Sequence, residues 1–246
     1  VRGQLIGVNT SILTRSGGSN GIGFAIPSAL VAQFVEQARD GKTQFERPWA
    51  GMTGQAVDAE ISATLGQSLP NGILIAGLHP LSAFARAGLD VGDVVLSVDG
   101  SPVNTPPEML FRMSVRGLGH MAQIRYLRAG VVKEAEVEMI APPDTPPRGA
   151  VSLADGAVLP GLKLSRANPA VAAELGTPMV DGAIIVLDPG PYGARAGLRP
   201  GDVIRAINGN AVQNPSDVAP LLRRAAPRIR IDAQRGNARV TLRFRS

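Results

Sequence analysis

The chain has 246 residues, of which 44% are hydrophobic and 18% charged, with 29 glycines and 20 prolines. That is a globular composition with many turns and short strands, long enough for two small domains and unlike a disordered chain. It holds no cysteine, which excludes disulfides, thiol chemistry and Cys-based zinc sites, and no run approaches the ~18 apolar residues of a membrane span. The net charge is +5. Arg223, Arg224, Arg228, Arg230, Arg235, Arg239, Arg243 and Arg245 supply much of it. In RIRID and RVTLRFR the arginines alternate with apolar residues, as a solvated face of amphipathic strands requires. That reading is preferred to a nucleic-acid or lipid partner.

The opening, VRGQLIGVNT, carries neither an initiator methionine nor a signal peptide, and it reads as a fragment or a processed form. Residues 29–42, ALVAQFVEQARDGK, predict a helix over 29–40 with Ser28 as N-cap and Gly41 as its stop. The glycines of GGSNGIG do not complete G-x-G-x-x-G, because Ile26 stands at the last position, so no phosphate loop is indicated. ILIAGL (73–78) is a short apolar run and predicts a buried strand. ARAGL (85–89) predicts a one-turn helix closing on glycine. Gly92-Asp93 then turns the chain into VVLSVDG, an alternating strand whose Asp-Gly pair accepts positive φ. Thr105-Pro106-Pro107-Glu108 has the order of a helix start, with Thr as N-cap, Pro at the first position and Glu three residues on. AQIRYLRAGVVKEAEVEM (122–139) predicts a hairpin turning at Arg-Ala-Gly.

The same order is then written again. ARAGLDVGDVVLSVDG (85–100) and ARAGLRPGDVIRAING (194–209) are identical at nine of sixteen positions. AIIVLD matches the strand, Asn214-Pro215-Ser216-Asp217 the helix start, and RIRIDAQRGNARVTLRFR the final hairpin. Each unit is about ninety residues, the size of a domain rather than of a solenoid repeat. APPDTPPRGA (141–150), with four prolines, predicts an extended linker between them. The expected organisation is 1–45, a first unit over 46–141, a linker over 142–150 and a second unit over 151–246.

Both units resemble the PDZ domain, through AGLDVGDVVLSVDGSPV and AGLRPGDVIRAINGNAV. The resemblance implies small, partly open β-barrels with two helices each, in a mostly β chain. It also implies capture of another chain's C-terminus as an added strand. A loop of form x-Φ-Gly-Φ would give its N–H groups to the terminal carboxylate, and its glycine lets the backbone approach the anion. In the first unit that loop is Arg47-Pro48-Trp49-Ala50-Gly51-Met52, followed by Thr53. Ala50, Gly51 and Met52 would donate, and Arg47 would add a charge-assisted bond. Met52, with Met109, Leu110 or Met113 from the helix, would line an adaptable pocket for an apolar last residue. Helical spacing alone leaves open whether these methionines are simply core. In the second unit the loop is Leu159-Pro160-Gly161-Leu162, a weaker binder by expectation because proline has no N–H. Pro220 is also expected to interrupt its helix.

The N-terminal run LIGVNTSILTRSGGSNGIGFAIPS (5–28) fits no PDZ element. It resembles the last strands of the protease domain in the HtrA/Do (Deg) family of serine proteases, where two PDZ domains follow. The resemblance implies a remnant of a chymotrypsin-like β-barrel over residues 1–45, with Asn9, Thr10 and Ser11 left from the wall of the primary substrate pocket. The Gly-Asn-Ser-Gly-Gly nucleophile motif does not occur in the chain, so no catalytic residue is assigned and the chain alone is expected to be inactive. His79 and His120 read as solvated turn residues, and Asp93 and Asp202 as turn-bonding groups. No cofactor and no metal is expected. By resemblance the parent is a periplasmic or cell-envelope quality-control endopeptidase that forms homo-oligomers and acts on unfolded proteins or peptides with apolar C-termini. The alternatives are a non-enzymatic tandem PDZ adaptor and a degenerate protease acting as a chaperone. Without barrel neighbours, residues 1–27 are expected to be disordered, docked on the first PDZ unit or swapped between molecules.

Overall fold

A computed structural model describes residues 2–12, 23–64, 70–177 and 182–246. The chain divides into two compact units, Val1–Ala141 and Pro142–Ser246. In the first, β1 (Gly7–Ile12) and β2 (Gly23–Pro27) pair antiparallel, with a register shift between Asn9 and Ser11. Val8 and Phe24 of this hairpin, and Leu5 and Ile6 just before it, are exposed. The helix α1 (Ser28–Arg39) follows directly. Ser28 is its first residue rather than its cap, Pro27 holds the cap position without a side-chain bond, and Gly41 at φ +82° follows its end. Of the glycine-rich stretch and the GIGFAIPS run, residues 17–22 lie outside the described residues.

The remaining elements of this unit are β3 (Met52–Ala56), α2 (Ala59–Thr64), β4 (Ile73–Leu78), α3 (Ala83–Arg86), β5 (Val94–Val98), β6 (Ser101–Pro102), α4 (Pro106–Arg116), β7 (Met121–Arg128) and β8 (Val131–Glu138). The strands form one open sheet in the order β3-β4-β5-β7-β8, with β6 beside β5. β3 and β8 are its two edges, so the sheet does not close into a barrel. The turn residues behave as their chemistry demands. Asp99 and Gly100 take φ +46° and +73°, and Ala129 and Gly130 close the β7–β8 hairpin at +49° and +78°. Thr105 caps α4 by accepting from the Glu108 N–H. The core gathers Ile73, Ile75, Phe84, Val95, Met113 and Ile124 between sheet and helices. α1 packs on α4, where Gly117 leaves room for the Gln33 side chain, and Phe34 stacks on Phe45 at 3.8 Å. The described part of residues 1–27 is thus a self-paired hairpin against α1, an arrangement outside the three fates expected for it, and α1 rather than the hairpin packs on α4.

The second unit contains β9 (Val151–Ser152), β10 (Lys163–Arg166), α5 (Pro169–Leu175), β11 (Ile184–Asp188), α6 (Gly190–Arg195), β12 (Val203–Ile207), β13 (Asn210–Ala211), α7 (Val218–Ala225), β14 (Arg228–Arg235) and β15 (Ala238–Arg245). Its sheet runs β15-β14-β12-β11-β10-β9, with β13 beside β12, and is open as well. Asn208 and Gly209 repeat the positive φ pair at +47° and +83°. Pro220 does not break α7. A 3-10 turn over Pro215–Asp217, held by the Asn214–Asp217 capping box, precedes the helix and leaves Pro220 in its first turn, where a missing N–H costs little. α2 and α5 are helices that the repeat pattern did not announce. Both begin at side-chain caps, Asp58 accepting from Ile61 N–H and Asn168 from Val171 N–H, with Pro169 opening α5.

The proline-rich stretch is bound along the second unit. Asn168, 1% exposed, donates from Nδ2 to Asp144 at 2.6 Å and to the Pro146 carbonyl at 2.8 Å. Ala170 N–H donates to the Pro143 carbonyl. Prolines resist helix and central strand, yet their carbonyls remain acceptors, and the second unit uses them.

Candidate peptide-binding site

The loop before β3 is shaped by what lies beneath it. Trp49 N–H donates to the Ile140 carbonyl at 2.8 Å, which ties the loop to the chain after β8. The buried Ser82 hydroxyl donates to the Ala50 carbonyl, and His79 N–H donates to the Gly51 carbonyl at 2.8 Å. In a planar trans peptide the N–H points opposite to the C=O. With both carbonyls drawn inward, the N–H groups of Gly51 and Met52 face away from the core. Among the described residues, no protein group accepts from the N–H of Ala50 or Gly51.

Gly51 is required twice over. Its φ is +63°, and a methyl there would stand 2.8 Å from both Ser82 Cβ and the Trp49 ring. The Trp49 ring meets the His79 ring edge-on at 5.3 Å, and His79 Nδ1 accepts from Leu81 N–H. The indole is thus held between Gly51 and His79.

Among the described residues, β3 has β4 as its only sheet neighbour, and α4 packs beside it. Its other edge, starting at Met52 and exposed Thr53, can accept a further strand. The structure brings Ala50 and Met52 together with Met109 and Met113 around one apolar cluster. Met109 and Met113 are 3% and 1% exposed and sit in the core, whereas Met52, which packs against the same cluster, and Leu110 are half-buried. Arg47 is exposed just before the buried Pro48. Asn9, Thr10 and Ser11 lie on β1, all exposed, with Thr10 Oγ1 donating to the Phe24 carbonyl.

Models of the PDZ domain match residues 34–139 and 184–235. The probable periplasmic serine endoprotease DegP-like of Halomonas elongata is 34% identical over 225 residues, 89% of this chain and 46% of that protein. The periplasmic pH-dependent serine endoprotease DegQ of Escherichia coli is 29% identical over 257 residues, 100% of this chain and 52% of that protein. A solved structure, the HtrA-type protease AlgW with decapeptide, shares 33% identity over 57% of this chain and 43% of that one, at a TM-score of 0.42. The chain belongs to the HtrA family. It spans about half the length of the curated relatives it matches.

The second PDZ unit of this HtrA chain treats its loop differently. Leu159 and Leu162 are buried in its core. Gly161, at φ +79°, donates its N–H to the Leu153 carbonyl at 2.9 Å, and Leu162 donates to Leu159. These donors are already engaged within the chain.

A duplicated ion pair supports both HtrA units. Asp93 is 2% exposed, and Arg128 grips it through Nε and Nη2, each at 2.6 Å, while also reaching the Gly88 carbonyl. Asp202, 1% exposed, is held the same way by Arg235 at 2.7 Å, with the Gly197 carbonyl as third acceptor. The aspartates do bond their own turns, accepting from Asp90 and Arg199 N–H. The arginine partners were the missing half. Their signal was an arginine at the same place in each repeat, just before the hairpin turn. Each arginine is held above its ordinary pKa, chiefly by its hydrogen bonds to the aspartate. The clamp ties the turns before β5 and β12 to the ends of β7 and β14. Among the described residues, no group of three His, Asp or Glu side chains could hold a metal, and no helix is long and apolar enough to cross a membrane.

Proposed function

We propose that the first PDZ unit captures polypeptides by a free, apolar C-terminus and serves as the substrate-recognising part of a periplasmic HtrA-type serine endoprotease in protein quality control. The observation that carries this reading is the inward bonding of the Ala50 and Gly51 carbonyls. It turns the N–H groups of Gly51 and Met52 outward at the open end of the β3 edge. A carboxylate there accepts from several N–H groups at once, and Arg47 adds charge at the rim. The rest of the peptide adds to β3 as a strand, and its last side chain enters between Met52 and Leu110. The names of the relatives support the protease and the periplasm. The repeat without residues 1–28 would fit an adaptor, but the N-terminal hairpin and helix favour the protease family. Peptide-bond hydrolysis is assigned to residues outside this chain, so the chain by itself leaves casein uncut.

The chain has one tryptophan, Trp49, placed in the loop itself. Titrating peptides that end in Val, Leu, Phe or Ala, each as free acid and as amide, reads the site through Trp49 fluorescence. The reading requires the amides to bind at least about tenfold more weakly, a loss of about 1.4 kcal/mol. Equal binding of acid and amide, or no binding at all, overturns it.

A further inference from the structure

The two PDZ units differ at the strand where a peptide would add. In the first, β3 has one neighbour among the described residues. In the second, β10 occupies the same place after its loop but has two neighbours, β11 and β9. The second neighbour is the chain's own residues 151–152, paired antiparallel with Leu164↔Val151 and Lys163↔Ser152. The pairing extends in both directions. Leu153 N–H donates to the Leu162 carbonyl at 2.9 Å, and Arg166 N–H donates to the Arg148 carbonyl at 2.7 Å. Ser165 Oγ donates to that same Arg148 carbonyl.

The direction and chemistry of this segment are those of a bound peptide. It runs antiparallel to β10, with residue 153 at the loop end. There the Leu153 carbonyl accepts from Gly161 N–H, the role a terminal carboxylate oxygen would take. The Leu153 side chain is 5% exposed and shares an apolar cluster with Leu159 and Leu162 of the loop and Val218 and Leu222 of α7. An apolar side chain in that place is what the groove would ask of a last residue. The other end of the segment is anchored by Arg148, whose Nη1 and Nη2 donate to Glu174 at 3.0 and 2.9 Å and whose Nε donates to Asp144.

We propose that residues 148–153 are a ligand built into the chain, seated in the peptide groove of the second PDZ unit and closing it to other chains. The inference rests on the PDZ fold of this unit and not on the peptide binding proposed for the first. A tethered segment of about 10 μM intrinsic affinity, held at an effective concentration of about 1 mM, weakens a competing free peptide about 100-fold.

The test uses the full chain, 15N-labelled, and the synthetic hexapeptide RGAVSL, which copies residues 148–153 and ends in a free carboxylate. In the unaltered chain 0.1 mM peptide should fill only about a tenth of the grooves and leave the amides of Gly161, Leu162, Leu164 and Arg166 nearly unshifted. In the double variant Val151→Gly/Leu153→Gly the same amides should shift, with binding at least about tenfold tighter. A folded variant that refuses the peptide overturns the proposal, as does equal binding by both chains. So does a variant whose second unit unfolds, because the segment is then an integral strand. Hydrogen exchange on the unaltered chain gives a second reading. Gly161 and Arg166 amides should exchange at least about tenfold faster than the sheet amide of Val186, by local release of the segment. Equal rates overturn it. Trp49 reports the first unit separately, so failure there leaves this test intact.

Discussion

Gly51→Ala puts the argument for the first loop to a direct test. Two costs add. At φ +63° an alanine is strained by about 1 kcal/mol. Its methyl would stand 2.8 Å from Ser82 Cβ and from Trp49 Cη2, where carbon atoms rest at about 3.5–4.0 Å. Ser82 cannot yield, because it is fully buried, caps α3 and bonds the Ala50 carbonyl. The indole must move, at an overpacking cost of about 1–3 kcal/mol. The sum is about 2–4 kcal/mol of lost stability in the first unit, with Trp49 displaced from His79. Urea denaturation followed by Trp49 fluorescence measures the loss, and the native emission spectrum reports the displacement. Gly161→Ala is the control. Its φ is +79°, but the nearest atom to an added methyl is Pro191 Cδ at 3.8 Å, so only the backbone cost of about 1 kcal/mol is expected. Calorimetry of the full chain reads that change. A Gly51→Ala chain with an unshifted spectrum and a loss under about 0.5 kcal/mol would refute the packing argument, as would equal losses at the two glycines.

Arg235→Met leaves the carboxylate of Asp202, 1% exposed, without its partner. The arginine side chain is itself 30% exposed, so the cost should fall below that of a fully buried pair, at about 2–3 kcal/mol in urea unfolding. A change under about 0.5 kcal/mol would show the clamp to be idle. Asp144 is held below its ordinary pKa of 3.8, first by the Asn168 side-chain donor and then by Arg148. A lowered carboxylate pKa stabilises the fold above the unfolded value, and that contribution is lost as the pH falls through the lowered one. The proline-rich segment should therefore stay docked at neutral pH and loosen only as acid titrates Asp144 below 3.8. An NMR titration of its carboxyl carbon should give a midpoint under that value, and Asn168→Ala should raise it. A midpoint unchanged by the substitution would remove Asn168 as the cause.

Much of the framework could be read from residue order alone. Turn pairs need positive φ, so Asp-Gly and Asn-Gly announced the turns at 99–100 and 208–209. Thr105 and Asn214 announced helix starts because a short polar side chain before proline has little else to do there. The misses have a common cause: they depend on partners distant in sequence. Asp93 bonds its own turn, which is visible locally, but also Arg128, 35 residues on. Nothing in VSL at 151–153 says that it pairs with residues 162–164, since a two-residue strand has no period to detect. The proline-rich stretch looked like a linker because composition reports what a segment cannot form, and its carbonyls found acceptor roles all the same. Met109 and Met113 carried the same ambiguity as sequence. Burial places both in the core of the first unit.

The duplication preserved the framework and let the grooves diverge. The similar stretches at 85–100 and 194–209 contain the turn glycines and the clamped aspartates that brace both units. The loop residues are not duplicated, RPWAGM in one unit and VLPGL in the other. In the first, a buried hydroxyl and a backbone N–H draw the carbonyls in and turn the donors out. In the second, Pro160 removes one donor and Leu153 takes another. An exposed row of donors beside an open strand is a hazard unless it is used or covered. Among the described residues, the first unit leaves its Ala50 and Gly51 N–H groups without a protein acceptor. The second covers its row with its own chain, which leaves it free to act as a rigid body for as long as residues 148–153 stay seated.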